Sequence, residues 1–138
     1  DFYDRFATDV EPILETLAAR FGPDGVFVRV LLARLNAKSE IKPHVDKGYS
    51  LINCNRIHIP IITNDEVTFS VGGVSQSLAS GEIWEINNAD VHAVTNASEH
   101  ARVHLIVDWT PRETLLKEKK PFRMDLPMFY QSDLRLAN

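Results

Sequence analysis

His44-Val45-Asp46 is the triplet in this sequence with the clearest chemical potential. In an extended segment, side chains two apart share a face, which sets an imidazole beside a carboxylate. A second imidazole from a distant segment would complete a 2-His-1-carboxylate facial set, the donor arrangement of non-haem Fe(II) oxygenases. A cation held in that way keeps neighbouring positions open for a chelating 2-oxo acid and for O2. Five histidines are available: His44, His58, His92, His100 and His104. His92 suits the distal position. It follows a strand-like run, Glu82 to Asn87, and a short polar link, and it lies 46 residues beyond Asp46. Strands that far apart become neighbours when a barrel closes.

A dicarboxylic 2-oxo acid needs a cation for its far carboxylate. Arginine suits this best, because its planar fork binds a carboxylate through two parallel hydrogen bonds. Arg102 stands ten residues after His92, and a hairpin through Asn96-Ala97-Ser98 would return it to the metal. Arg56 and His58 share one face of an earlier strand and offer further interior donors. Each element is weak alone. An H-x-D triplet is common by chance, and a strand histidine is more often hydrogen-bonded or exposed than a ligand. The ordered set carries the inference: H-x-D, R-x-H, a strand opened by Gly81, His92, then Arg102. Plainer roles suit the remaining residues. His104 is expected to hydrogen-bond inside the barrel, with contact to substrate as its alternative, His100 to sit in an exposed polar turn, and Trp84 to pack in the core. Asn87 and Asn88 read as turn residues, with Asn87 within reach of a ligand's outer side. Cys54 falls in a loop with nothing nearby to activate it. Position alone sets the 47–55 segment beside a substrate.

The elements that must position these residues are mostly strands. Phe2, Phe6, Val10, Ile13, Leu14, Leu17 and Phe21 recur at helical spacing and give an apolar face. Pro12 interrupts them, so a kink or a second helix is expected there, with Asp9 as a candidate cap. Gly22-Pro23-Asp24-Gly25 stops the helix. Strands are then read over Val26–Leu35, Arg56–Thr63, Glu66–Val71, Val74–Leu78, Glu82–Asn87 and Arg102–Trp109. Asn64-Asp65, Gly72-Gly73 and Ser80-Gly81 separate several of them as turns. Many short strands with such turns indicate an antiparallel sandwich or barrel, with the helical N-terminus on one outer face. Thr114–Lys120 reads as a short charged helix and Pro121–Asn138 as an irregular extension. The expected organisation is one domain over residues 1–110, with 111–138 as a C-terminal extension.

Composition narrows the class. The chain has 138 residues, 44% hydrophobic and 25% charged, enough for one domain with a real core. A net charge of −4 argues against nucleic acid or an anionic membrane as partner. Cys54 is the only cysteine, which excludes an internal disulfide and a thiolate zinc cluster. No apolar run approaches the ~20 residues needed to span a bilayer, and no leader is visible, so a cytoplasmic location is expected.

Five runs together resemble the aspartyl/asparaginyl β-hydroxylases. They are Ile41–Asp46, Arg56–Ile61, Gly81–Asn88, His92–Asn96 and Arg102–Asp108, in that order. The resemblance covers roughly residues 26–110. It implies a mainly β fold, a double-stranded β-helix of jelly-roll or cupin-like form, and a 2-oxoglutarate- and Fe(II)-dependent dioxygenase. It makes His44, Asp46 and His92 the iron ligands and Arg102 the anchor of the distal carboxylate of 2-oxoglutarate. Arg56 and His58 become additional polar partners of that co-substrate. The animal peptide hydroxylase that names the family lacks the iron-binding carboxylate, whereas Asp46 stands there in this chain. The complete triad is similar to bacterial members, including the free L-proline cis-4-hydroxylases. The implied partners are O2 and a small-molecule or peptide substrate: a free amino acid, or an aspartyl or asparaginyl residue. Two other classes fit the barrel: a cupin-like metal enzyme that does not use 2-oxoglutarate, and a non-catalytic sensor or binding domain.

Overall fold

The computed structural model describes residues 2–115 and 127–135. A helix, α1 (Phe2–Phe21), leads into β1 (Gly25–Leu35) and β2 (Ser39–His44). A single helical turn, α2 (Tyr49–Ile52), precedes β3 (Asn55–Ile62), β4 (Val67–Val71), β5 (Val74–Gln76) and β6 (Glu82–Ile86). Then come β7 (His92–Asn96), β8 (Arg102–Pro111), the short α3 (Arg112–Leu115) and β9 (Phe129–Arg135).

The strands form two antiparallel sheets. One has the order β1-β8-β3-β6-β9 and the other β2-β7-β4-β5. The first eight strands therefore interleave as two Greek keys, which is a double-stranded β-helix of the jelly-roll type. The chain is mainly β, as its alternating pattern predicts.

Two apolar clusters show which face each strand turns where. Leu35, Val67, Phe69, Val71, Leu78, Trp84, Ile86 and Val94 come from both sheets and fill the space between them. Leu17 is joined by Ile57, Ile59, Ile83, Leu105, Val107 and Trp109, with Val10, Ile13, Leu14 and Phe21 packed around them. This second cluster fixes α1 on the outer face of the five-stranded sheet. Consequently β3 and β8 have their odd-numbered residues under the helix. Their even-numbered ones, Arg56, His58, His104 and Asp108 among them, turn inward.

Three expectations are corrected. α1 runs unbroken through Pro12, so there is no second helix and no cap at Asp9. A mid-helix proline costs about 3 kcal/mol. The long apolar face that α1 buries, with Leu17 fully enclosed, outweighs that cost. The helix instead ends where expected, at Gly22, whose φ of 92° permits its N–H to bond Ala18 O at 2.9 Å. Next, the stretch read as an irregular extension contains β9. Phe129–Arg135 pairs antiparallel with β6 and completes the larger sheet. Of the charged helix expected over Thr114–Lys120, α3 covers the first two residues, and 116–126 lie outside the described residues. Finally, β7 and β8 are not a hairpin. They belong to different sheets, and residues 97–101 carry the chain from one to the other. Buried Asn96 holds that crossing: its Nδ2 donates to Asn36 O and His100 O, and its Oδ1 accepts from Ser98 N and Oγ.

Candidate metal centre

β2 and β7 pair so that His44 lies opposite His92. Their rings stand 4.3 Å apart between centroids. Asp46 follows two residues beyond the end of β2. The three side chains each offer one ligand atom, and those atoms all lie within 4.8 Å of one another. The carboxylate sits 3.9 Å from His44 Nε2 and 3.7 Å from His92 Nε2.

The other ring nitrogens are held. His44 Nδ1 bonds Lys42 O at 2.8 Å, and His92 Nδ1 bonds Asp90 O at 3.0 Å. A carbonyl can only accept, so each Nδ1 carries the proton and each Nε2 presents its lone pair to the centre. That is the outer support a metal-binding imidazole needs. His92 is buried, and burial lowers its pKa, which keeps it in the neutral form a metal takes.

Arg102 lies deeper between the sheets, only 2% exposed. No carboxylate faces it among the described residues, and burial alone lowers its pKa to about 10. Its Nη2 donates to His104 Nδ1 at 2.7 Å. Since a guanidinium cannot accept, the His104 proton must sit on Nε2. Arg102 Nε and His104 Nε2 both lack a partner among the described residues. Two orphaned donors and an uncompensated positive charge thus share one buried neighbourhood. Left alone the arrangement is costly, and an anion that accepts hydrogen bonds is the kind of group that would offset the cost. His58 closes the group, its Nδ1 at 3.3 Å from His104 Nδ1.

Burial lowers the pKa of His104 to about 2, with Arg102 adding to the effect. His58 is also held well below its usual value, first by burial and then by His104 and Arg102. Both are neutral when folded and titrate near 6.5 when unfolded. Below that pH the unfolded chain binds more protons, so stability falls as pH falls. The expected loss between pH 6.5 and 5 is about 2 kcal/mol for His104, and His58 contributes in the same direction. Urea unfolding across that range measures it. A His104→Gln variant with an unchanged pH slope would contradict this assignment.

The structure gives Arg56 a different set of partners from the co-substrate role expected of it. Its Nε and Nη2 each donate to Asp108 at 2.8 Å, and its Nη1 bonds Asp46. Burial opposes its charge, but the hydrogen bonds and charge of Asp108 prevail and raise its pKa. Asp108 itself went unremarked in the sequence, although the signal is present. Arg102, His104, Asp108 and Thr110 alternate with Val103, Leu105, Val107 and Trp109 along β8, with Ile106 the one apolar residue on the polar side. A strand with polar residues on its inner face lines a site. Cys54 lies in the loop between α2 and β3, as read, and is buried there; burial pushes its thiol up to about 12, which makes it unreactive. Trp84 is in the core, Asn87 Oδ1 accepts from Ala89 N in a turn, and His100 is exposed, as read.

Residues 10–111 match the family described as Aspartyl/Asparaginyl beta-hydroxylase. The chain belongs to that family. Among curated proteins no match was found. Of solved structures, the chain is similar to the protein YhaK from Escherichia coli at a TM-score of 0.57 and 10% identity. That likeness covers 83% of this chain and 44% of YhaK, so the chain spans under half of that protein's length. A Cupin 2 conserved barrel domain protein from Salinispora arenicola CNS-205 aligns at a TM-score of 0.46 and 10% identity. It covers 66% of this chain and 77% of that one. The chain is thus a hydroxylase-family domain on a double-stranded β-helix with a His/Asp/His cluster suited to a metal. None of the helices among the described residues is long and apolar enough to cross a membrane.

Proposed function

We propose that this chain is an Fe(II)- and 2-oxoglutarate-dependent dioxygenase that hydroxylates an unactivated C–H bond of an amino acid, free or in a peptide. The observation that carries the reading is a pair of features in one interior: an open three-ligand metal cluster and an unpaired buried guanidinium. The residues fit both groups. His44, Asp46 and His92 would hold the iron, with the donor set that suits non-haem Fe(II). Arg102 and His104 would hold the far carboxylate of the 2-oxo acid. When bound, the iron and the co-acid supply the chemistry by which O2, 2-oxoglutarate and R–H become succinate, CO2 and R–OH.

The chain's own residues orient and enclose. Arg102 places a charge where only an anion compensates it, and its fork fixes how that anion lies. His58 and His104, neutral by burial, donate without adding charge. The apolar cluster of Val67, Phe69, Val71 and Val94 backs the centre and excludes water. Arg29, on the inner face of β1, is 40% exposed and only grazes Asp108 at 3.7 Å. A surplus cation at that position suits a substrate carrying a carboxylate. A cupin-like metal enzyme without a 2-oxo acid has no use for the unpaired Arg102.

The test is succinate formation with Fe(II) and 2-oxoglutarate, screened across free amino acids and Asp- or Asn-containing peptides. Iron-dependent succinate is the expected result. A chain that binds Mn(II) at the triad but never consumes 2-oxoglutarate would belong to the other metal-enzyme class. One that binds no divalent metal would be a non-catalytic domain.

A further inference from the structure

We propose that Asp108 is a positioning residue of the metal centre: it locks Arg56, and Arg56 in turn holds one oxygen of Asp46 and leaves the other for the cation. The inference rests on the reading that His44, Asp46 and His92 bind a divalent metal.

Asp46 is the member of the triad with the least backbone support. The β2–β7 ladder stops at His44, and Asp46 belongs to no strand. Its carboxylate must therefore be placed by a side chain, and Arg56 Nη1 is the one that bonds its Oδ2. Arg56 can do so because it cannot turn. Arg56 and Asp108 are register partners on β3 and β8, and both oxygens of Asp108 are bonded to Arg56, at Nε and Nη2. A guanidinium is planar, so fixing two nitrogens fixes the third. Asp108 is 0% exposed and touches neither triad imidazole among the described hydrogen bonds and ion pairs. Its effect on the cation passes through Arg56.

The charges agree with this. Asp108 neutralises Arg56, so Asp46 keeps its full charge for a metal. Without Asp108, a bare guanidinium would stand beside the cation, repel it, and claim Asp46 for itself. A plain structural role would not call for a charged pair here, since apolar residues of similar size commonly do as well or better in a buried place.

The experiment compares Mn(II) binding by titration calorimetry, on the metal-stripped full chain, for wild type, Asp108→Asn, Arg56→Lys and His44→Ala. Thermal unfolding of each metal-free form is measured alongside. Asp108→Asn is expected to weaken Mn(II) by about 10–100-fold, the usual effect of removing an outer support. Arg56→Lys keeps the charge but loses the fork, and is expected to weaken binding as well. It serves if Asp108→Asn fails to fold. Variants that melt earlier yet bind Mn(II) with wild-type affinity would overturn the inference and leave Asp108 a structural residue. If the wild type binds no Mn(II), or His44→Ala binds it equally, the metal reading itself fails and this inference falls with it.

Discussion

Alanine at His92 is expected to abolish divalent-metal binding and, with it, every trace of iron-dependent succinate formation. Three donors are the minimum of a facial set, and a cation left with His44 and Asp46 alone is held by one neutral and one charged group. His92 is also the better enclosed imidazole: both rings lie in the β2–β7 ladder with Nδ1–H fixed by a carbonyl, but His92 is buried and His44 exposed. Water cannot readily take its place without losing that preorganisation. Asp46→Asn should be less severe, because the amide oxygen still ligates weakly. His100→Ala, an exposed change in the 97–101 crossing, should alter nothing. Calorimetry with Mn(II) and a succinate assay with Fe(II) read the series. Wild-type metal affinity in His92→Ala would remove this residue, and the geometry built around it, from the centre.

The second large effect is expected at Arg102, and it runs in opposite directions for function and stability. Arg102→Met should eliminate 2-oxoglutarate binding while raising the stability of the metal-free chain by about 1–3 kcal/mol. The guanidinium is buried, has no counter-charge among the described residues, and leaves Nε unpaired. Methionine has a similar length and no desolvation cost. What it forfeits is one bond to His104 Nδ1. Arg102→Lys should fall between, weakening 2-oxoglutarate by roughly 100-fold, about 3 kcal/mol, because a point charge cannot bind the carboxylate through two bonds. Co-substrate affinity and the unfolding midpoint of the metal-free form measure the two arms. An Arg102→Met chain that still binds 2-oxoglutarate would place the anion elsewhere. One that melts far below wild type would show that the charge is compensated after all.

Most of this site could be read from the order of a few residues, because ligand spacing survives folding. His44 and Asp46 are two apart, and His92 comes a few strands later, so closing any jelly roll brings them together. Arg102 was placed by its spacing from His92; it does lie inward on β8, but the hairpin expected to carry it there is a crossing between sheets. The failures are tertiary. Pro12 signals a break locally, and only the sheet beneath α1 reveals why the helix continues. Phe129–Arg135 has little pattern of its own. Its place as a strand depends on the open edge of β6. Arg56 and His58 looked equivalent as inward-facing donors. Their neighbours on β8 differ, and a carboxylate opposite Arg56 gave it another task. Asp108 was legible in the alternation, but its significance needed its partner.

The opposite allegiance of neighbouring letters in β8 has a consequence for how the chain must assemble. A slip of a single position against β3 would drive Arg102, His104 and Asp108 beneath α1 and turn Leu105, Val107 and Trp109 toward the His44/Asp46/His92 cluster, ruining core and candidate site at one stroke. The clasp between Arg56 and Asp108 can close in one alignment only. A slipped pairing forfeits that clasp as well as the core.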